Sequence, residues 1–155
     1  MSDVHDLISQ LSSNSLIQRK KAAAALGELG DPKAGMALLK ALKDKNPHVR
    51  SDAAFSLGQI GYSGSIGSLI GLLNDTDKYV RKSAAKALGM LKADEAVGAL
   101  IEALGDEADI VRKSAVRSLG LIKNKKAVPA VQKALADTSG VVRIAAQNAF
   151  KMLNS

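Results

Sequence analysis

The hydrophobic positions of the chain recur at a fixed interval of 31 residues, and one arginine marks each interval. These arginines are Arg19, Arg50, Arg81, Arg112 and Arg143. Apolar residues follow each arginine at offsets of 3, 7 and 10, as Ala84, Leu88 and Leu91 follow Arg81. Such offsets lie on one face of an α-helix. The pattern therefore predicts five amphipathic helices, here called A helices, each beginning about one residue before its arginine.

A second apolar stripe lies between successive A helices and predicts a second set of helices, here called B helices. In the first interval the stripe consists of Leu38, Leu39 and Leu42, and it recurs at the same spacing. Gly30 and Gly61 follow the first two A helices and favour left-handed caps. Asp31-Pro32 then favours the start of the next helix. Residues 3–11 fit the B pattern, and we interpret them as a B helix without an A partner.

Two amphipathic helices cannot bury their apolar faces alone, so hairpins of this kind stack into a continuous array. The sequence predicts an all-α fold, an α-α superhelix (solenoid) of 31-residue helical hairpins. Polar residues replace small or apolar ones at both ends of the array, at Asp3, Gln10, Gln147 and Lys151. Because terminal repeats need a polar outer face, residues 1–155 are predicted to form a single domain.

The repeat resembles a known family. Val80-Arg81-Lys82-Ser83-Ala84-Ala85-Lys86-Ala87-Leu88-Gly89-Met90-Leu91 and Ala96-Val97-Gly98-Ala99-Leu100-Ile101-Glu102-Ala103-Leu104 are similar to HEAT-like repeats of the phycobilin-lyase type. The similarity extends over nearly the whole chain. It implies an armadillo-like solenoid with B helices on the concave side and A helices on the convex side. The family includes scaffolds, adaptors, bilin lyases and metal-dependent hydroxylases, so the fold does not specify a function.

Composition restricts the chemistry, the compartment and the partners that we expect for the protein. The chain lacks cysteine, which excludes disulfides and thiol chemistry, and it has no apolar run of the roughly 18 residues that a membrane span needs. Its first six residues lack the basic and apolar segments of a signal peptide, so we expect a cytoplasmic protein. The net charge of +7 permits a polyanionic partner, whereas four aromatic residues and no tryptophan disfavour base stacking.

Candidate chemistry is sparse. His5 and His48 are the only histidines, and neither has an evident ligand or base partner. The His-Glu pairs that a metal-dependent hydroxylase requires are absent, so we expect no enzyme, no catalytic residue, no metal and no cofactor. Aspartates recur six residues before four of the arginines, at Asp44, Asp75, Asp106 and Asp137. We interpret these pairs as structural, with the carboxylate near an A-helix N-terminus and the arginine bridging to its own or the adjacent unit.

The solvent-facing positions of the B helices carry mainly small or uncharged residues. Together they predict a concave protein-binding groove formed by Met36, Lys40, Gly67, Ser68, Gly71, Gly98, Ala99, Glu102, Pro129 and Lys133. A solvated helix face would normally carry long charged side chains, whereas this strip lets a partner approach the backbone. The alternative is that repeats drift in sequence and tolerate small residues at these positions.

Basic residues cluster on two adjacent A helices, at Lys82, Lys86, Lys113 and Arg117. On the predicted convex side this cluster is either a solvated surface or a site for an anion such as nucleic acid. The favoured function is a monomeric, non-enzymatic adaptor or scaffold that binds a protein partner through its concave face. The alternatives are polyanion binding through the basic cluster, and bilin-lyase-like chromophore handling.

Overall fold

The computed structural model describes residues 3–155. Met1 and Ser2 lie outside the described residues, and the prediction that the N-terminus is not a signal peptide falls partly on them. This part of the chain forms ten α-helices and no β-strand. In chain order the helices are α1 (Val4–Gln10), α2 (Leu16–Leu29), α3 (Gly35–Ala41), α4 (Pro47–Ile60), α5 (Ile66–Leu72), α6 (Lys78–Met90), α7 (Val97–Ala103), α8 (Asp109–Ile122), α9 (Val128–Ala134) and α10 (Gly140–Leu153). The even-numbered helices are the A helices and the odd-numbered ones the B helices, so the all-helical solenoid prediction is confirmed.

Each B helix packs mainly against the A helix that follows it in the chain. Helix α1 therefore has an A partner, α2, and the prediction that residues 3–11 lack one is wrong. The physical reason is the tight connection from B to A, in which Leu11 is buried one residue after α1 and an arginine of the A helix bonds back to the connecting backbone. Five B–A hairpins result, joined through one continuous apolar core.

The A helices pack against each other in series, while the B helices barely touch one another. Open clefts separate α1 from α3, α5 from α7 and α7 from α9, with volumes of about 480, 290 and 710 Å³. In a curved stack the layer with the closer helix spacing lies on the inside of the curve. From the difference in spacing we infer that the A helices lie on the concave side and the B helices on the convex side, the reverse of what the family resemblance implies.

Glycines make the close A-helix packing possible. They stand eight residues after the arginine, at Gly27, Gly58, Gly89 and Gly120. A Cβ atom on Gly58 would lie 2.9 Å from the Cα of Ala87, and one on Gly120 would lie 2.9 Å from the Cα of Ala149. At Gly27 and Gly89 the missing side chain instead makes room for a serine of the next A helix. The hydroxyls of Ser56 and Ser118 use this room to donate to the carbonyls of Ala23 and Ala85, at 2.6 Å each.

In four units a residue just beyond the A helix has a positive φ angle, whether that residue is glycine or lysine. Gly30 and Gly61 take left-handed φ angles of 72° and 71°, as their type predicts. Lys92 and Lys123 stand at the same repeat position and also have positive φ, 48° and 60°. A side chain in this region costs about 1–2 kcal/mol, so the turn geometry of the stack overrides local preference in these two units.

Candidate functional site

The repeated arginines and aspartates form a hydrogen-bonded ladder between units. In one rung, Arg81 Nε donates to Asp106 Oδ2 at 2.8 Å and Nη2 donates to Oδ1 at 3.1 Å. Arg81 Nη1 also donates to the carbonyl oxygen of Asp75 at 2.8 Å. The same pairing joins Arg19 to Asp44, Arg50 to Asp75 and Arg112 to Asp137. The arginine thus bridges to the adjacent unit, which confirms that the pairs are structural.

Three carboxylates of the ladder, those of Asp75, Asp106 and Asp137, have lowered pKa values, which favours their charged form. Burial raises the pKa of Asp106. The hydrogen bonds from Arg81 and from the amide of Ala108 lower it, and together with the nearby arginine charges they outweigh burial, so the net shift of the pKa is downward. The Arg112 guanidinium is the main cause of the lowered pKa of Asp137. Carboxylates already satisfied by an arginine and a backbone amide are not available for acid–base work. Among residues 3–155 there is also no cluster of three or more metal-ligating side chains.

The B-helix residues predicted to form the groove are exposed, apart from Ala99, which is partly buried. A Cβ atom on Gly67, Gly71 or Gly98 would meet no atom within 4 Å, so none of these glycines serves internal packing. On the inferred curvature these residues lie on the convex side, where clefts separate the B helices, rather than in the concave groove that the sequence predicted. Their role in binding a protein stays a prediction.

Alanine at Gly67 and Gly71 is expected to stabilise the protein by roughly 0.5–1 kcal/mol per site, because both glycines are helical and a methyl group enters open space. Urea unfolding followed by circular dichroism measures the change. Gly58→Ala is the matched control, since its methyl group would meet the backbone of Ala87. A loss of stability in both convex-face variants would show that these positions are packed after all.

The exposed apolar side chains lie on the A helices instead. Nine large apolar residues within residues 3–155 are exposed, and eight belong to A helices; the exception is Met36. Six of the eight stand at repeat positions −2, +1 and +9 relative to the arginine, which face solvent together. They are Ile17, Tyr79, Met90, Leu121, Val141 and Ile144. We call the solvent-facing positions −2, +1, +5 and +9 of the five A helices the A face.

The basic cluster belongs to this same surface. Lys82 and Lys113 occupy position +1, and Lys86 and Arg117 occupy position +5. The sequence predicted a convex position for the cluster, whereas the close packing of the A helices leads us to infer a concave one. Lys86 Nζ lies 4.8 Å from the centre of the Phe55 ring, so cation and apolar surface adjoin.

An apolar cavity of about 250 Å³ lies on the A face between α8 and α10. Its lining residues are Arg117, Leu121, Ala145, Asn148, Ala149 and Met152. The sequence interpretation missed this cavity and the exposed apolar residues around it. A signal was present, since Tyr79, Met90 and Leu121 are apolar at helix positions opposite the buried stripe.

Comparison with known families agrees with the geometry of the stack. A family model described as HEAT repeats matches residues 4–79 and 66–151, which together span most of the chain. The chain belongs to the HEAT-repeat family. The comparison with curated proteins gives no match. No helix within residues 3–155 has the length and apolar character needed to cross a membrane.

Solved structures resemble this HEAT-repeat chain over almost its full length. One is the complex of CpcE and CpcF of phycocyanin lyase from Nostoc sp. PCC7120, at 30% identity and a TM-score of 0.90. The alignment covers 99% of this chain and 65% of that one, so the protein spans a little under two thirds of that relative. An engineered protein matches at 27% identity and TM-score 0.72, with 97% and 79% of the two chains covered. A designed armadillo repeat protein in complex with the peptide (KR)4 matches at 22% identity and TM-score 0.80, covering 97% and 82%, and shows the shared fold alone.

Proposed function

We propose that this HEAT-repeat protein is a non-enzymatic scaffold that binds a protein partner through its concave A face. The observation that carries the proposal is the concentration of exposed apolar side chains on one layer of the stack, eight of nine on A helices. Apolar patches bordered by polar and charged groups are typical of protein-binding surfaces. The convex layer is nearly free of such side chains and offers no comparable surface.

The packing of the A helices supports this function energetically. Gly58 and Gly120 bring adjacent A helices into backbone contact, and the arginine–aspartate ladder ties each unit to the next. A surface built on such a rigid layer loses little conformational entropy when a partner binds. A few apolar contacts are then sufficient for useful affinity.

Selection from a random peptide library displayed on phage tests which face binds. Peptides selected on the wild-type protein are expected to lose affinity for Tyr79→Glu and Ile144→Glu by about tenfold or more, because a carboxylate would enter an apolar contact. Met36→Glu is the matched control, since Met36 is 60% exposed on the convex side and Ile144 is 61% exposed on the A face. Selected peptides that bind both A-face variants normally but lose affinity for Met36→Glu would overturn the proposal.

The similarity to the CpcE–CpcF complex favours a second candidate, a role in handling the chromophore of phycocyanin. Its support is the 30% identity rather than any feature of the site. The two candidates differ in one simple observation. A chromophore-handling protein purified from its source cell would carry visible absorption from a bound pigment, and a scaffold would not.

A further inference from the structure

The A face carries positive charge that no ion pair within the described chain neutralises. Lys82, Lys86, Lys113 and Arg117 make no ion pair in residues 3–155, whereas four of the five ladder arginines are paired with aspartates. The helices α6, α8 and α10 contain only one carboxylate, that of Asp109. Its Oδ2 already accepts a hydrogen bond from the hydroxyl of Ser139 at 3.0 Å. With Lys82, Lys86, Lys113 and Arg117 opposed by this single carboxylate, the centre of the A face has a net positive field.

The cavity between α8 and α10 adjoins this charge. Arg117 forms part of its wall, while Leu121 and Met152 provide an apolar interior. Met90 and Phe55 extend the apolar surface toward α4, where Lys86 lies over the Phe55 ring. Apolar and cationic groups thus alternate across three neighbouring A helices rather than forming separate patches. A matching ligand needs apolar and anionic groups at similar spacing.

We propose that the A face binds an acidic amphipathic segment of a partner protein. One apolar side chain of the segment enters the α8–α10 cavity, and its carboxylates pair with Lys82, Lys86, Lys113 and Arg117. This inference rests on the proposed function and adds the chemistry of the partner. An acidic protein segment fits better than nucleic acid because it supplies both groups, while a phosphate backbone would leave the apolar cavity unfilled.

The probe is a fluorescein-labelled amphipathic peptide of about twenty residues, long enough to form a helix, built from glutamate and alanine with leucines four residues apart. Three comparison probes complete the set: the peptide with lysine for glutamate, the peptide with alanine for leucine, and a labelled oligothymidine of equal length. Fluorescence anisotropy measures binding of each probe over a range of salt concentrations. The acidic leucine peptide is expected to bind most tightly, and the lysine peptide not at all.

Variants locate the contact. The double substitution Lys86→Glu with Arg117→Glu is expected to weaken the acidic peptide at least about tenfold. The matched control is Lys40→Glu with Lys133→Glu, which makes the same charge change on exposed convex-face residues and should leave affinity within about twofold. Leu121→Asn should weaken the leucine peptide by about fivefold and leave the alanine peptide unchanged, because it acts on the apolar cavity.

Several outcomes overturn the inference. Oligothymidine that binds more tightly than the acidic peptide would identify the cluster as a polyanion site. Equal effects of the A-face and convex-face charge pairs would show that only net charge matters. If library peptides bind the A face but lack acidic residues, the proposed scaffold function stands and this partner chemistry fails. If library peptides ignore the A face altogether, both proposals fail.

Discussion

Replacing Asp106 by alanine is expected to destabilise the solenoid by about 2–4 kcal/mol, because it leaves the Arg81 guanidinium largely buried without its main partner. The side chains of Arg81 and Asp106 are only 9% and 10% exposed. The substitution also removes the acceptor of the Ala108 amide, 2.9 Å from Asp106 Oδ1. Urea unfolding monitored by circular dichroism measures the loss.

Glu107→Ala is the matched control for this rung. Glu107 lies 3.7 Å from the same guanidinium, but its side chain is 91% exposed, so its removal should cost less than about 0.5 kcal/mol. A similar cost for both substitutions would mean that the ladder contributes only surface electrostatics.

The loss of folding stability at acid pH provides a second test of the same ladder. The pKa values of Asp75, Asp106 and Asp137 are lowered in the folded protein from an ordinary value of 3.8. Their contribution to stability is therefore complete above that ordinary value and is lost as the pH falls through it toward the folded pKa values. Burial raises the pKa of Asp52, so that carboxyl group opposes the trend. The melting temperature of Asp106→Ala should fall less steeply with acid than that of the wild type.

Valine at Gly120 is expected to cost about 2–3 kcal/mol, through a steric conflict between two A helices. A Cβ atom there would lie 2.9 Å from the Cα of Ala149 and 3.0 Å from its Cβ. Backbone atoms cannot move aside as a flexible side chain can, so α8 and α10 would have to separate. Separation would also open the apolar cavity between them, and the acidic probe should bind more weakly. Denaturant unfolding and anisotropy measure the two effects.

Gly98→Val is the control, because a Cβ atom at Gly98 meets nothing within 4 Å. Its unfolding free energy should stay within about 0.5 kcal/mol of the wild type. If Gly120→Val were equally mild, the A helices would not depend on glycine for their close approach.

The sequence pattern was sufficient for the helices because their periodicity is a local property. Offsets of 3, 7 and 10 from the arginine specify one buried face wherever the helix packs. The C-terminal caps of the A helices could be predicted only in part. Gly30 and Gly61 adopt the positive φ that glycine favours, whereas Lys92 and Lys123 adopt a positive φ that lysine disfavours. The sequence left open whether each arginine pairs with an aspartate of its own unit or of the adjacent unit. Only the spacing between hairpins in the folded stack distinguishes the two pairings.

The site was harder to predict because exposure on a helix does not reveal which way a stack bends. From the order of residues we obtained the all-α repeat, the buried stripes, the structural arginine–aspartate pairs and the basic cluster. Curvature depends on the difference between two spacings, A to A and B to B, and both arise from contacts between residues about thirty positions apart. Those contacts placed the basic cluster, Tyr79 and Leu121 together on the concave side, and left the small residues of the B helices on the convex one.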